Sequence, residues 1–433
     1  MRVFRKLASL LPVREKFARN VLGLFAANMV AQGLSFAAYP VLTRIYRPDQ
    51  LGVLSVVLFT MLLLTSLSTL RYEIALPMCR SNPEAGSVLI VCFAVITLTS
   101  VVMAGVLLAL PAAAINALGG VGPYRLFVPL ALLAFGIYNV LCYEASRVGQ
   151  YADIAKTRMS QAIVGPGSQI ALGLAGAGTA GLLGGFVIGL WSGTLRLSRR
   201  LLLPKPSVFA GVTRASVFDA ARKYRHFPLF SSWAGVLAGS ASVGNVIFTV
   251  IYGATVGGFV FLGDRIMLQP LRVSGNAFLQ VFVGEAGRIF DASPTAFRQL
   301  FIGVVGKQAA LSVAWLALIY LASHFAIPVV FGRAWGDASR YIDVMLFGYL
   351  PTAIAIPASH TLLLMKKQRL SAALDAARFV ALIVVIAAAT HLAAAPLTAV
   401  LAYSVTQGIA QTLILAVVYV EVSRRPSTPA SGS

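Results

Sequence analysis

The residues best suited to chemistry lie in the stretch GGFVFLGDRIMLQPLRVSGNAFLQVFVGEA, where Arg265, Gln269, Arg272, Asn276 and Gln280 recur at i, i+4, i+7, i+11 and i+15. On a continuous helix turning about 100° per residue, these positions share one arc of roughly 80°. A guanidinium held mid-membrane costs at least about 2.5–3.5 kcal/mol, so two on one face call for a watery cavity or bound anions. Arginine's planar fork suits phosphate and pyrophosphate oxygens, and the amides can share hydrogen bonds with hydroxyl-rich solutes. Pro270, in mid-stripe, predicts a kink. The plainer alternative is a structural polar core, with Asp264 neutralising one arginine and neighbouring carbonyls satisfying the other.

Other polar faces follow helical spacing. Asn28, Gln32, Ser35, Tyr39 and Thr43 repeat the same offsets, and Ser231, Ser242, Asn245 and Thr249 share a face flanked by Ala234 and Ala238. Tyr403, Gln407 and Gln411 form a third set, and Asn139, Tyr143 and Arg147 a fourth. Such faces suit a sugar-compatible cavity and serve equally well as hydrogen-bonding glue between helices. Lys307 falls inside an apolar run, where it either joins the arginines or snorkels to the inner surface. Asp375 and Arg378, three apart, read as a local ion pair. Arg71 and Glu73 read as a structural or gate-like pair where the second span exits.

What must position these side chains is a set of membrane helices. Of 433 residues, 58% are hydrophobic and 11% charged, with a mean hydropathy of +0.83, whereas soluble chains carry about 25% charged residues. Apolar runs long enough to cross about 30 Å of hydrocarbon occupy 21–41, 51–70, 87–110, 126–142, 161–177, 180–195, 228–251, 257–283, 300–327, 344–364, 370–392 and 397–420. The alternating pattern of an outer-membrane barrel is absent. The expected fold is all-α: about twelve transmembrane helices in two six-helix lobes around a central cavity.

A net charge of +21 raises the possibility of nucleic acid, and the placement of the cations argues against it. With the N-terminus inside, about 26 of the 35 Lys and Arg fall on the inner side, as the positive-inside rule requires. About five fall outside: Arg44, Arg47, Arg125, Arg333 and Arg340. This predicts an inner-membrane protein with both ends cytoplasmic. Residues 1–20 form a basic amphipathic segment that reads as a helix on the anionic leaflet rather than a cleaved signal peptide. An N-terminal lobe (21–195) and a C-terminal lobe (228–420) flank a basic linker (196–227), and a tail follows (421–433).

Within the linker, Ser216-Val-Phe-Asp219 resembles a helix start. Thr43-Arg-Ile45-Tyr46 followed by Gly52 recurs as Thr249-Val-Ile251-Tyr252 followed by Gly258, in keeping with two parallel lobes. Pro48 and Asp49 suit a first helical turn. Gly185, Gly189 and Gly193, spaced by four, suit close helix packing in preference to a broken substrate-binding helix.

Enzymatic readings find little footing. The outside loops leave no room for a catalytic domain. Cys79, Cys92 and Cys142 show no paired spacing, and His226, His324, His360 and His391 are scattered, so neither disulfides nor a metal site is expected. No phosphate-binding GxxxxGK[ST] loop is present. No cofactor is expected beyond coupling to protons or sodium.

Several stretches together resemble the polysaccharide flippases, the O-antigen and exopolysaccharide-repeat translocases of the multidrug/oligosaccharidyl-lipid/polysaccharide exporter superfamily. They are YPVLTRIYRPDQLGVLSVV, STLRYEIALP, KYRHFPLF, GGFVFLGDRIMLQPL with the later LQVF, and VVFGRAWGDASRYIDVM. The chain departs from the family pattern at Asn245, where a proline is usual, and at Arg272, usually small or apolar. The resemblance implies a non-enzymatic carrier that moves undecaprenyl-pyrophosphate-linked oligosaccharide to the periplasmic leaflet by alternating access. It also implies that Arg265 meets the anionic head and that Gln280 matches the family's QVF glutamine. Expected partners are that lipid-linked oligosaccharide, anionic membrane lipids, and polysaccharide polymerase or chain-length proteins.

Two rivals make different demands. A cation-coupled drug exporter of the same superfamily needs carboxylates in its lumen, whereas the charges here are mostly positive. A membrane glycosyltransferase or polymerase needs a reacting carboxylate such as Asp343.

Overall fold

The computed structural model describes residues 15–202, 208–232, 243–290, 293–359 and 361–424. The basic start through residue 14, Ala234, Ala238 and Ser242, His360, and the tail from 425 lie outside the described residues.

Helices α1 (Glu15–Ile45), α2 (Pro48–Ser68), α3 (Asn82–Ala109), α4 (Phe127–Arg147), α5 (Tyr151–Leu174) and α6 (Gly178–Leu201) come first. A short α7 (Arg214–Lys223) precedes α8 (Val243–Tyr252), α9 (Ala254–Met267) and α10 (Gln269–Ile289). The chain ends with α11 (Pro294–Val330), α12 (Ala338–Ala355), α13 (Gln368–His391) and α14 (Pro396–Ser423). Counting α9 and α10 as the two halves of one span, this is a polytopic all-α membrane protein of about twelve crossings, as the composition demands.

Among the described residues, eight helical runs are long and apolar enough to cross a bilayer on those grounds alone. Apart from the linker helix α7, the helices outside that set are α1, α5 and α8 to α10, and they carry Asn28, Gln32, Gln169, Asn245, Arg265 and Arg272. Polar side chains lower their hydropathy, and breaks at Gly253 and Leu268 shorten the last three.

Contacts divide the chain into Met1–Gly257 and Gly258–Ser433. In the first unit, α6 lies directly against α5. A Cβ added at Gly185, Gly189 or Gly193 would stand 2.4, 2.6 and 2.4 Å from atoms of Gln169, Gly165 and Gln161. The stripe therefore lets two backbones touch. Gln169 and Gln161 lock the pair by donating to the carbonyls of Leu182 and Leu190 at 3.0 and 3.3 Å. The end of α8 also packs within this unit: Ser55 Oγ lies 3.3 Å from Thr249 Oγ1, and a Cβ on Gly52 would meet the Ala254 carbonyl at 1.8 Å. Gly52 of the first repeat copy thus seats against the turn that follows the second.

The linker helix α7 begins at Arg214, three residues ahead of the sequence reading, because the N-cap is Thr213, paired with Ser216, and not Ser216 itself. Each side chain takes the other's backbone N–H, at 3.2 and 3.0 Å. Its far end docks on α3, where Lys223 Nζ and the Tyr224 hydroxyl donate to Glu84 Oε1 at 2.6 and 3.0 Å.

After α2 the backbone turns left-handed at Leu70 and Arg71, with φ of 48° and 60°, and a short 3₁₀ helix, Tyr72–Met78, enters the core. Glu73 is 1% exposed, and its Oε2 has no hydrogen-bond partner. Burial pushes this carboxyl pKa up, against weaker opposing pulls from Thr69 and Arg71. With a raised folded-state pKa, its stabilising contribution is fully present below the ordinary value of 4.5 and is lost as pH rises through the folded-state value. Glu73→Gln cannot ionise and escapes that loss. Between acidic and mildly alkaline pH, the wild-type melting temperature is expected to fall by ~2 °C relative to Glu73→Gln; parallel melting curves at every pH would contradict this.

Candidate functional site

The eighth span breaks at Leu268 because Pro270 has no N–H, which leaves the Ile266 carbonyl without its helical donor. Trp315 of α11 fills the gap, its indole N–H donating to that carbonyl at 3.2 Å. Gln308, fully buried on α11, clamps the next turn: its amide reaches the carbonyls of Leu271 and Ala353, each at 3.1 Å, and its oxygen accepts from Ser274 at 3.2 Å. Trp315→Phe keeps the packing and removes the donor. The loss is expected to be about 1 kcal/mol, read as a lowered melting temperature; an unchanged value would mean that the kink needs no cap.

The break changes the predicted stripe. Arg265 sits on α9, and Gln269, Arg272, Asn276 and Gln280 follow on α10, so a single continuous arc is replaced by two shorter ones. Asp264, with its side chain 5% exposed, takes Arg272 rather than its neighbour Arg265: Asp264 Oδ1 lies 3.5 Å from Arg272 Nη2. The same oxygen accepts from the Tyr349 hydroxyl at 3.2 Å. Arg265 lies over the Phe261 ring, 4.9 Å from its centroid, and its Nε is buried with no hydrogen-bond partner. Arg272 is thus neutralised, and Arg265 keeps one buried donor, Nε, without a partner among the described residues.

The remaining candidates divide. Asn276 and Gln280 are exposed on α10, and Gln269 is partly buried at its start. Lys307 is exposed on α11, while the adjacent Gln308 is the residue turned into the bundle. Gln407 donates to Thr352 Oγ1 at 3.3 Å and thereby ties α14 to α12. Tyr403, on the same helix, lies within electrostatic range of both Asp264 and Arg378.

In the first unit, Asn28 Oδ1 is buried without a partner, Gln32 is partly buried, and Asn245 falls on α8 with its side chain outside the described residues. Arg147, a candidate for a polar lining, is instead satisfied locally by Glu144 at 2.6 and 2.8 Å and by Asn82 at 3.1 Å. Tyr349 and Gln308 escaped the sequence reading because neither belongs to a helical repeat of polar residues, and beside Gln308 the charge of Lys307 drew the attention. No cluster able to hold a metal ion occurs among the described residues.

This arrangement of helices has known counterparts. The chain is similar to the lipid II flippase MurJ in an inward closed conformation, with a TM-score of 0.72 and 11% identity over 92% of this chain and 90% of that one. It is also similar to an inward-facing multidrug resistance MATE family transporter of the MOP superfamily, with a TM-score of 0.59 and 13% identity over 92% and 98%. An outward-facing MATE transporter gives 0.52 and 15% over 93% and 95%. No protein-family model and no curated protein sequence matches. The fold is therefore that of the MOP-superfamily transporters.

Proposed function

We propose that this chain flips an undecaprenyl-pyrophosphate-linked oligosaccharide from the cytoplasmic to the periplasmic leaflet of a bacterial inner membrane, for surface polysaccharide assembly. The observation that carries this reading is the buried, unpartnered Nε of Arg265 beside the Asp264–Arg272 pair. A cationic side chain whose buried Nε has no acceptor among the described residues favours an anion over a cation, and its fork matches pyrophosphate oxygens. The shared fold supplies the precedent of a lipid-linked cargo in MurJ.

On this reading the molecule is a carrier and not an enzyme, has both termini in the cytoplasm, and works by alternating access of the lobes 21–195 and 228–420. Proton or sodium coupling supplies the energy, and polymerase and chain-length proteins act on the product. Arg265, Gln269, Arg272, Asn276 and Gln280 meet the head group and sugars, with Asn28, Gln32, Asn245, Lys307 and Gln407 as further lining. A cationic drug is the poorer fit, because the one buried carboxylate at this site, Asp264, is already held by Arg272 and Tyr349.

The test is a deletion strain with and without the wild-type gene, scored for surface glycan and for lipid-linked repeat retained on the inner leaflet. Glycan lost with retained repeat is the expected result. A deletion without any glycan defect would end the flippase reading.

A further inference from the structure

A second arginine-bearing pocket stands apart from the broken helix. It lies between α13 and α14 towards Lys366 and Lys367, of which Lys367 is paired with Glu421, and encloses about 220 Å³. Leu374, Ile414 and Val418 supply apolar lining, and Ser371, Asp375, Arg378 and Gln411 supply polar lining. Cavities that enclose a drug-sized molecule run from about 300 to 1,000 Å³. This one cannot enclose an oligosaccharide, and has room for a phosphate with the first carbons of an attached chain.

The electrostatics favour an anion. Arg378, with its side chain 17% exposed, donates from Nη1 to Gln411 Oε1 at 3.1 Å and lies 3.2 Å from Asp375 Oδ1 through Nη2. Gln411 is neutral, so it orients the fork without cancelling the charge. Asp375 is 59% exposed, and a pair with so exposed a partner is weak, because water already competes for the carboxylate. A phosphate offers more charge and more acceptor oxygens in the same place, and its geometry fits the fork. Asp375 therefore acts as a stand-in that yields to the ligand. Only 11% of the apolar stretch of α13 is buried, so an apolar chain leaving the pocket meets lipid-facing surface.

Resting on the flippase reading, we infer that this pocket is a separate subsite for the phosphate end of an isoprenoid or acyl phosphate, held by Arg378 in exchange for Asp375.

The experiment uses the full-length protein in zwitterionic nanodiscs, carrying Arg265→Ala so that the first arginine does not contribute. Binding of farnesyl pyrophosphate is compared with that of inorganic pyrophosphate and of farnesol. Saturable binding of farnesyl pyrophosphate is expected, weakened about tenfold or more by Arg378→Ala and tightened severalfold by Asp375→Asn, with either half alone weaker. Equal affinity in Arg378→Ala would overturn the subsite. So would weaker binding by Asp375→Asn, which a purely structural ion pair predicts and a competing carboxylate does not. Inorganic pyrophosphate binding as tightly as the farnesyl compound would remove the lipid from the proposal. Glycan display in the deletion strain tests the transport reading alone, so failure of one is distinguishable from failure of the other.

Discussion

Arg265→Ala reaches the membrane at wild-type abundance and abolishes most surface glycan. A hydrogen bond to a charged group contributes about 1.5–3 kcal/mol, so losing it in the loaded state slows transport roughly 10- to 150-fold. The fold, by contrast, gives up little. Arg265 Nε is buried without a partner among the described residues, and its guanidinium contacts the Phe261 ring, so alanine removes a half-buried cation without orphaning another charge. Melting temperature is therefore expected to hold or rise, while lipid-linked repeat accumulates on the inner leaflet. Arg265→Lys, which keeps the charge and loses the fork, falls between the two. Normal glycan in Arg265→Ala at matched abundance would reduce this arginine to a structural element.

Arg272→Ala has the opposite signature. It strips the counter-ion from Asp264, whose side chain is 5% exposed and keeps only the Tyr349 hydroxyl. Breaking a fully buried pair costs about 3–5 kcal/mol, while exposed pairs contribute about 0–1 kcal/mol. With Arg272 42% exposed, the loss is expected near 2 kcal/mol, seen as reduced abundance and a lower melting temperature in detergent. Adding Asp264→Asn removes the stranded charge and restores most of that stability. If the double variant melts no higher than Arg272→Ala alone, the ion pair is not what Arg272 contributes. Glycan display by the restored double variant then reports whether Arg272 also serves transport, separately from its hold on Asp264.

Much of the architecture follows from composition and local chemistry. A chain that is 58% hydrophobic and 11% charged has only a bilayer as solvent, and the helical runs follow from where its apolar stretches stop. Pro270 dictates the break in the eighth span, since it has no N–H to give the Ile266 carbonyl within the helix. Gly185, Gly189 and Gly193 dictate close packing on one face of α6, because each lacks the Cβ that would collide.

Other outcomes belonged to the tertiary structure. Sequence left the partner of Asp264 open between Arg265 and Arg272. Eight residues of straight helix place Asp264 and Arg272 roughly 12 Å apart along the axis, yet past the break at Leu268 the charged atoms lie 3.5 Å apart. The same is true of Lys307 and Gln308: both interrupt an apolar run, and only the packing of α10 and α12 against α11 turns Gln308 inward and leaves Lys307 exposed. A polar residue in an apolar helix announces that something must satisfy it, and which atom does so depends on backbone breaks and neighbouring helices distant in sequence.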